Sequence, residues 1–284
     1  MISKLPTLDP LDRRLNSLDE NGNLVKGSGE LARIKVAFTD LRGRPDFSAS
    51  IDTQLLFGED VEIVEAQKDW TRVKAKRDGY VGWLESLTLT SNQTPITHLV
   101  SVPRTFFYPE PNLKLPHKGM RSMGSGLVIV DTIEVRGTRY ALLESGEAVI
   151  EKHIRPVDAH EADYVAIAET LIRTPYLWAG TTAFGLDCSG IIKLSQYMCG
   201  QFILRDSDMQ AATYGEEIDP GSSFQNVQRG DLIFWRGHVA IAQGDGMILH
   251  ANGHTMDVAS EPLADAVERI AYLYEMPIGV RRAT

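Results

Sequence analysis

The chain has 284 residues, 43% of them hydrophobic, and a formal net charge of −9. This size and composition fit a folded protein of two or three domains, and the acidic balance argues against a nucleic-acid surface, which needs clustered Lys and Arg. No apolar run approaches the length of a membrane span, and Met1-Ile2-Ser3-Lys4-Leu5-Pro6 lacks the apolar core of a signal peptide, so the expected location is cytoplasmic, with no membrane partner.

Residues 1–32 are polar and turn-rich, with Asn21-Gly22-Asn23 and Gly27-Ser28-Gly29, and read as an extended arm. Residues 33–92 hold short strand-like segments: Val61 and Ile63 alternate, and Arg77-Asp78-Gly79 makes a tight turn before Tyr80-Val81-Gly82-Trp83-Leu84. That is the pattern of a small β-barrel. Residues 93–157 repeat it with Leu127-Val128-Ile129-Val130, the hairpin-like Arg136-Gly137-Thr138-Arg139-Tyr140, and Gly146-Glu147-Ala148-Val149-Ile150. The spacing from Gly79 to Leu87 recurs from Gly146 to Ile154, so the two modules read either as degenerate repeats or as unrelated barrels. Arg155-Pro156 marks a boundary, because a residue before proline is biased away from helix.

The composition changes over residues 158–284. Ala162, Val165, Ala166, Glu169 and Ile172 predict an amphipathic helix over 161–172. After Pro175-Tyr176-Leu177-Trp178 a glycine-rich turn, residues 179–185, leads into Leu186-Asp187-Cys188-Ser189-Gly190, and Cys188 opens a run to Met198 with helical apolar spacing. Three strands are expected at residues 231–235, 238–242 and 247–251, joined by turns at Arg236-Gly237 and Gly244-Asp245-Gly246. A helix packed on an antiparallel sheet makes the fold class α+β.

A thiol at the first turn of a helix meets the positive end of the macrodipole and free backbone N–H groups, which favour thiolate. A nucleophilic cysteine also needs an imidazole base and a group to orient it. His238 begins a strand with Ala240 and Ala242 on its own face, small residues that would let the Cys188 helix approach. The orienting group is His250 or Asn252; position alone does not separate them. Cys199 would lie three turns, roughly 16 Å, along the same helix from Cys188, beyond disulfide reach, and reads as a buried small hydrophobe. With no CxxC pair, no metal site or cofactor is expected. His98, His117, His153, His160 and His254 have no comparable setting and are expected to face solvent.

Taken together, Tyr176-Leu177-Trp178-Ala179-Gly180, Asp187-Cys188-Ser189-Gly190, Gly230-Asp231-Leu232-Ile233-Phe234, Gly237-His238-Val239-Ala240-Ile241 and His250-Ala251 resemble the NlpC-type cysteine peptidases over residues 160–284. The resemblance implies a papain-like catalytic domain, and the upstream barrels look like bacterial SH3-like domains. The combination is similar to γ-D-glutamyl-L-diamino-acid endopeptidases that recycle murein peptides. It implies Cys188 as nucleophile, His238 as base and His250 as the orienting residue. Tyr176 would polarise the scissile carbonyl together with the Cys188 backbone N–H. Asp187 and Ser189 would line the cleft, with Ser207 in the Arg205-Asp206-Ser207 loop beside it. Glu59 and Tyr80 resemble lid positions that bind a free substrate amine. Ala179 stands where many relatives carry glycine.

The expected function is hydrolysis of the γ-D-glutamyl–diamino acid bond of murein tripeptides or tetrapeptides with a free N-terminal L-Ala, releasing L-Ala-D-Glu. A muramoyl-L-alanine amidase or acyltransferase could use the same Cys–His site. A non-catalytic wall-binding protein is a third reading, against which the intact Cys188, His238 and His250 speak.

Overall fold

The computed structural model describes residues 5–19 and 21–284; residues 1–4 and Glu20 of the expected arm lie outside the described residues. Among the described residues two compact units emerge, one formed by residues 11–19, 21–160 and 182–184, the other by residues 5–10, 161–181 and 185–284. Among the described residues no helix is long and apolar enough to cross a membrane.

The first unit opens with a seven-stranded sheet. Its order is Ile51–Leu56, Phe38–Arg42, Val81–Glu85, Trp70–Ala75, Asp60–Gln67, Leu31–Ile34, Leu89–Thr90. Alternation along the strands buries Leu41, Leu55, Val61, Val73 and Leu84 inside. The expected arm is partly built into this sheet: the Arg14 carbonyl accepts the Val81 N–H, the Ile63 carbonyl accepts the Ser28 N–H, and the first strand begins within it at Leu31. Residues 98–156 form three smaller sheets around Val100, Phe107, Leu127, Ala141, Leu143 and Val149. Both modules end on a strand, one 3-10 turn and another strand. They meet backbone to backbone. The Gly126 N–H donates to the Phe57 carbonyl, and a Cβ on Gly58, at φ +80°, would collide with the Gly126 carbonyl.

In the second unit, helix α1 (Tyr164–Glu169) is shorter than the sequence predicts. Asp163, inside the expected helix, instead caps it, its carboxylate accepting the Val165 N–H at 2.8 Å. Helix α2 (Cys188–Met198) follows the turn as expected, and α3 (Ser207–Thr213) comes next. A six-stranded antiparallel sheet is built from β1 (Glu216–Ile218), β2 (Leu232–Trp235), β3 (His238–Gly244), β4 (Met247–Asn252), β5 (Asp257–Pro262) and β6 (Gly279–Arg282). Its order is β1-β6-β2-β3-β4-β5, and helix α4 (Leu263–Leu273) leads from β5 towards β6.

One packing expectation is corrected. Ala240 and Ala242 do share a face, but they pack with Trp235, Ile248 and the α4 residues Leu263 and Ala266. Helix α4 therefore covers the alanines, and α2, which runs against β3 and β4, is left the opposite face with Val239 and Ile241. His98 and His153 are also half-buried rather than exposed; each ring Nδ1 lies 2.9 Å from a threonine hydroxyl, of Thr97 and Thr105 respectively.

Helix α2 sits close against the turn that precedes it. A Cβ on Gly190 would run into the Gly180 carbonyl oxygen and lie 2.9 Å from Asp187 Oδ1. Backbone cannot yield as a flexible side chain can. Gly190→Ala is therefore expected to cost about 2 kcal/mol, seen as a Tm lowered by about 4–8 °C in thermal unfolding. An unchanged Tm would show that the turn has room to move.

Candidate active site

Asp187 is the N-cap of α2, in extended conformation, with Oδ1 accepting the Gly190 N–H at 2.7 Å. The same carboxylate takes a two-pronged hold on Arg205, through Nη1 at 3.1 Å and Nη2 at 2.7 Å. Arg205 Nη1 also donates to Ser189 Oγ at 2.8 Å. Arg205 is 1% exposed and Asp187 8%, so this is a buried ion pair completed by hydrogen bonds to its remaining atoms. From α3, Gln210 Nε2 donates to the carbonyls of Ser189 and Leu204, at 3.1 and 3.0 Å. Ser207 is the first residue of α3 and half-buried.

Cys188 is the first residue of α2 and is buried. The backbone N–H of Val239 acts on its sulfur in favour of thiolate, which places the thiol near the start of β3, one residue from His238. Burial, then the Asp187 charge, pushes the Cys188 thiol up to about 12, against the N–H groups of Val239 and Ser189 and the Arg205 charge. Burial, reinforced by the charges of His250 and Arg269, pushes His238 down to about 3; only Glu261 opposes this. The resting pair is thus neutral thiol and neutral imidazole, not the thiolate that the helix terminus alone predicts.

His238 Nε2 lies 2.9 Å from His250 Nδ1, and His250 Nε2 lies 2.7 Å from Glu261 Oε1. Glu261 is held in turn by Arg269, whose Nη1 and Nη2 stand 2.5 and 2.6 Å from its oxygens. Burial works against the charge of Glu261, but hydrogen bonds from His250 and Arg269 outweigh it and bring the carboxyl to about 2. Asn252 Oδ1 instead accepts the N–H groups of His254 and Thr255, holding the turn after β4. Of the two candidates, His250 is the one joined to His238.

Tyr176 is half-buried, and its phenol is pushed up to about 12 by burial and by the charges of Cys188 and Asp187. It therefore stays a protonated donor beside the thiol. Three residues on, Ala179 adopts φ +63°, the left-handed region that glycine enters without steric cost. A cavity of about 510 Å³ opens beside the histidines, lined among others by Tyr176, Trp235, Arg269 and Tyr274. Among the described residues no cluster of His, Cys, Asp and Glu is arranged to hold a metal ion.

Glu59 and Tyr80 belong to the other unit. Glu59 is 4% exposed; its Oε2 accepts the Leu56 N–H, while Oε1 accepts no hydrogen bond and stands 3.6 Å from Arg77 Nε. Tyr80 is 2% exposed and its N–H donates to Asp78. Sequence reasoning missed the pairing of Arg205 with Asp187, and missed Glu261 and Arg269 altogether. None of the three stands in a local pattern that signals chemistry.

Residues 41–89 match the family model of a bacterial dipeptidyl-peptidase SH3 domain, and residues 173–270 match that of the NlpC/P60 family. The chain is 30% identical over 243 residues to a gamma-D-glutamyl-L-lysine dipeptidyl-peptidase of Bacillus cereus, covering 75% of this chain and 71% of that one. It is 27% identical over 243 residues to dipeptidyl-peptidase 6 of Lysinibacillus sphaericus, covering 78% and 88%. Its fold is similar to the crystal structure of an NlpC/P60 family protein from Bacillus cereus, with a TM-score of 0.72 at 25% identity over 89% of this chain and 99% of that chain.

Two outcomes are expected from the site's electrostatics. Arg205→Met leaves Asp187 buried without its cation and should cost about 3–5 kcal/mol in denaturant unfolding. In a Cys199→Ala background, alkylation of Cys188 by iodoacetamide should keep accelerating with pH beyond 9, since a raised thiol pKa, here about 12, delays thiolate formation. A rate already level at neutral pH would show a resting thiolate.

Proposed function

The chain belongs to the NlpC/P60 family and is a cysteine peptidase of the peptidoglycan-hydrolase kind, and on that premise we propose that it cuts the γ-D-glutamyl–diamino acid bond of murein peptides, releasing L-Ala-D-Glu. The observation that carries this reading is the buried thiol at the α2 N-terminus, near the start of the strand that carries the hydrogen-bonded His238–His250 pair. The relatives' names carry the bond specificity: the Bacillus cereus relative is a gamma-D-glutamyl-L-lysine dipeptidyl-peptidase, and the similarity spans three quarters of this chain.

In the proposed cycle, the Cys188 thiol gives its proton to His238 as the sulfur attacks the γ-carbonyl carbon of D-Glu. The tetrahedral oxyanion accepts hydrogen bonds from the Cys188 backbone N–H and the Tyr176 hydroxyl. Collapse breaks the C–N bond, and the leaving amine takes the proton from His238. Water then attacks the thioester, giving a proton to His238, and the thiol is restored with release of the dipeptide. Asp187, Ser189 and Ser207 are proposed to border the acyl side of the cleft. Glu59 and Tyr80, which resemble lid positions, are proposed to receive the free L-Ala amine, although Glu59 Oε1 already faces the Arg77 guanidinium at 3.6 Å. Such a preference suits peptides already released from the wall, and the proposed place of action is the cytoplasm, in recycling.

Mass spectrometry of products from an L-Ala-γ-D-Glu-diamino acid tripeptide tests this. The free tripeptide should yield the dipeptide and the diamino acid. The N-acetylated form should react at least about 100-fold more slowly, since acetylation removes the charge of the amine and adds bulk where it would be received, a loss of about 3 kcal/mol or more. Cys188→Ala should abolish turnover with Tm unchanged, and Cys199→Ala should keep it. Equal cutting of acetylated tripeptide or of whole sacculi would overturn the free-amine requirement.

A further inference from the structure

The His238–His250 pair does not end in solvent. It runs on through Glu261, at the end of β5, to Arg269 on α4. His250 pairs with Ala259 in the sheet, so Glu261, two residues on, shares its face. Helix α4 lies over this same face and brings Arg269 down onto the carboxylate. His250 is fully buried, so its proton positions are set by these partners and not by water.

With His250 neutral, the hydrogen-bond logic has one solution. An ionised carboxylate only accepts, so His250 Nε2 must donate to Glu261 Oε1. Nδ1 of a neutral His250 is then an acceptor, and His238 must present Nε2–H to it. His238 Nδ1 is left bare, the one ring position able to take the thiol proton. If Glu261 were protonated it could donate to His250 Nε2. Both tautomers would then invert, and His238 would hold a hydrogen at Nδ1 where a lone pair is needed.

We propose that Glu261 and Arg269 are positioning residues: Arg269 keeps Glu261 an acceptor, and Glu261, through His250, fixes the His238 tautomer that leaves Nδ1 free for the Cys188 proton. The proposal rests on the Cys188–His238 reading of the site. Neither residue touches the reacting atoms.

The test combines ¹⁵N NMR of histidine-labelled protein with kinetics on the tripeptide. In the unmodified protein near neutral pH, the His238 signals, identified by their loss in His238→Gln, should report a protonated Nε2 and a bare Nδ1. Glu261→Gln should disturb that single tautomer and lower kcat at least about tenfold with KM within about twofold; inverting the tautomer in a serine-protease triad costs about 10⁴. The charged groups acting on His238 are His250 on β4, Glu261 on β5 and Arg269 on α4, with Asp265 beside Arg269, while Tyr176, Arg236, His254, Tyr274 and Glu275 line the adjoining cavity; the proposed reading adds the Cys188 thiol on α2. Glu261 favours the charged imidazole and Arg269 opposes it. The acid limb of kcat/KM should therefore move to lower pH in Glu261→Gln and to higher pH in Arg269→Met, with Arg269→Lys restoring it. A merely structural pair would not split the two in opposite directions. A proton on Nδ1 of His238 in the unmodified protein, or wild-type kcat in Glu261→Gln, overturns the proposal. Turnover by Cys188→Ala would overturn the underlying reading instead, and the NMR measurement needs no turnover.

Discussion

The Asp187 carboxylate closes the first turn of α2 through the Gly190 N–H and, with both oxygens, grips the guanidinium of Arg205. Both charges are out of water, so neither can be lost alone without leaving the other uncompensated. Ser189 and, through Gln210, helix α3 are drawn into the same knot. The helix terminus is thereby held at one place, and Cys188 follows the cap by a single residue. The rest of the proposed reaction centre, from the Val239 N–H to the Tyr176 phenol, lies around a sulfur whose position that ion pair helps decide.

The same carboxylate helps set the protonation of the thiol. A helix N-terminus contributes about 0.3–1 kcal/mol towards an anion near the surface. Raising a thiol from 9.0 to about 12 corresponds to roughly 4 kcal/mol against it. Burial and the neighbouring Asp187 therefore outweigh the dipole. In the proposed cycle the proton moves only when a base with a free lone pair stands ready and a developing oxyanion has donors waiting.

How much of this is legible in the sequence depends on how local each signal is. Helix α2 can be read to its ends, because a capping acid followed by small residues and a helical apolar run lies within a dozen positions. Strands β2, β3 and β4 are readable to within two residues from alternation and glycine turns. The predicted helix at 161–172 is overlong because Asp163 and Thr170 look tolerable inside a helix, whereas Asp163 caps it. Helix α4 carries helical spacing in Leu263, Ala266, Val267 and Ile270, but which strands it covers follows from sheet order, and that also decides the fate of Ala240 and Ala242. Arg205 meets Asp187 across 18 residues, and Arg269 meets Glu261 across a strand–helix junction. A lone arginine in either place gives no sign of its partner.

Strand β6 sits inside the sheet, between β1 and β2, although residues 279–282 follow every other strand in the chain. The meander β2-β3-β4-β5 joins neighbours through short turns, whereas β2 must wait for partners 45 or more residues away, Leu232 pairing with Arg281. Local pairings close quickly and distant ones slowly. The ribbon bearing both histidines and Glu261 can therefore assemble early, while its flank at β2 stays an open edge until β6 slots in. During that interval the exposed edge is a template for pairing with another chain, so the order of events that assembles the histidine ribbon early also leaves its flank open to misassembly until the last strand arrives.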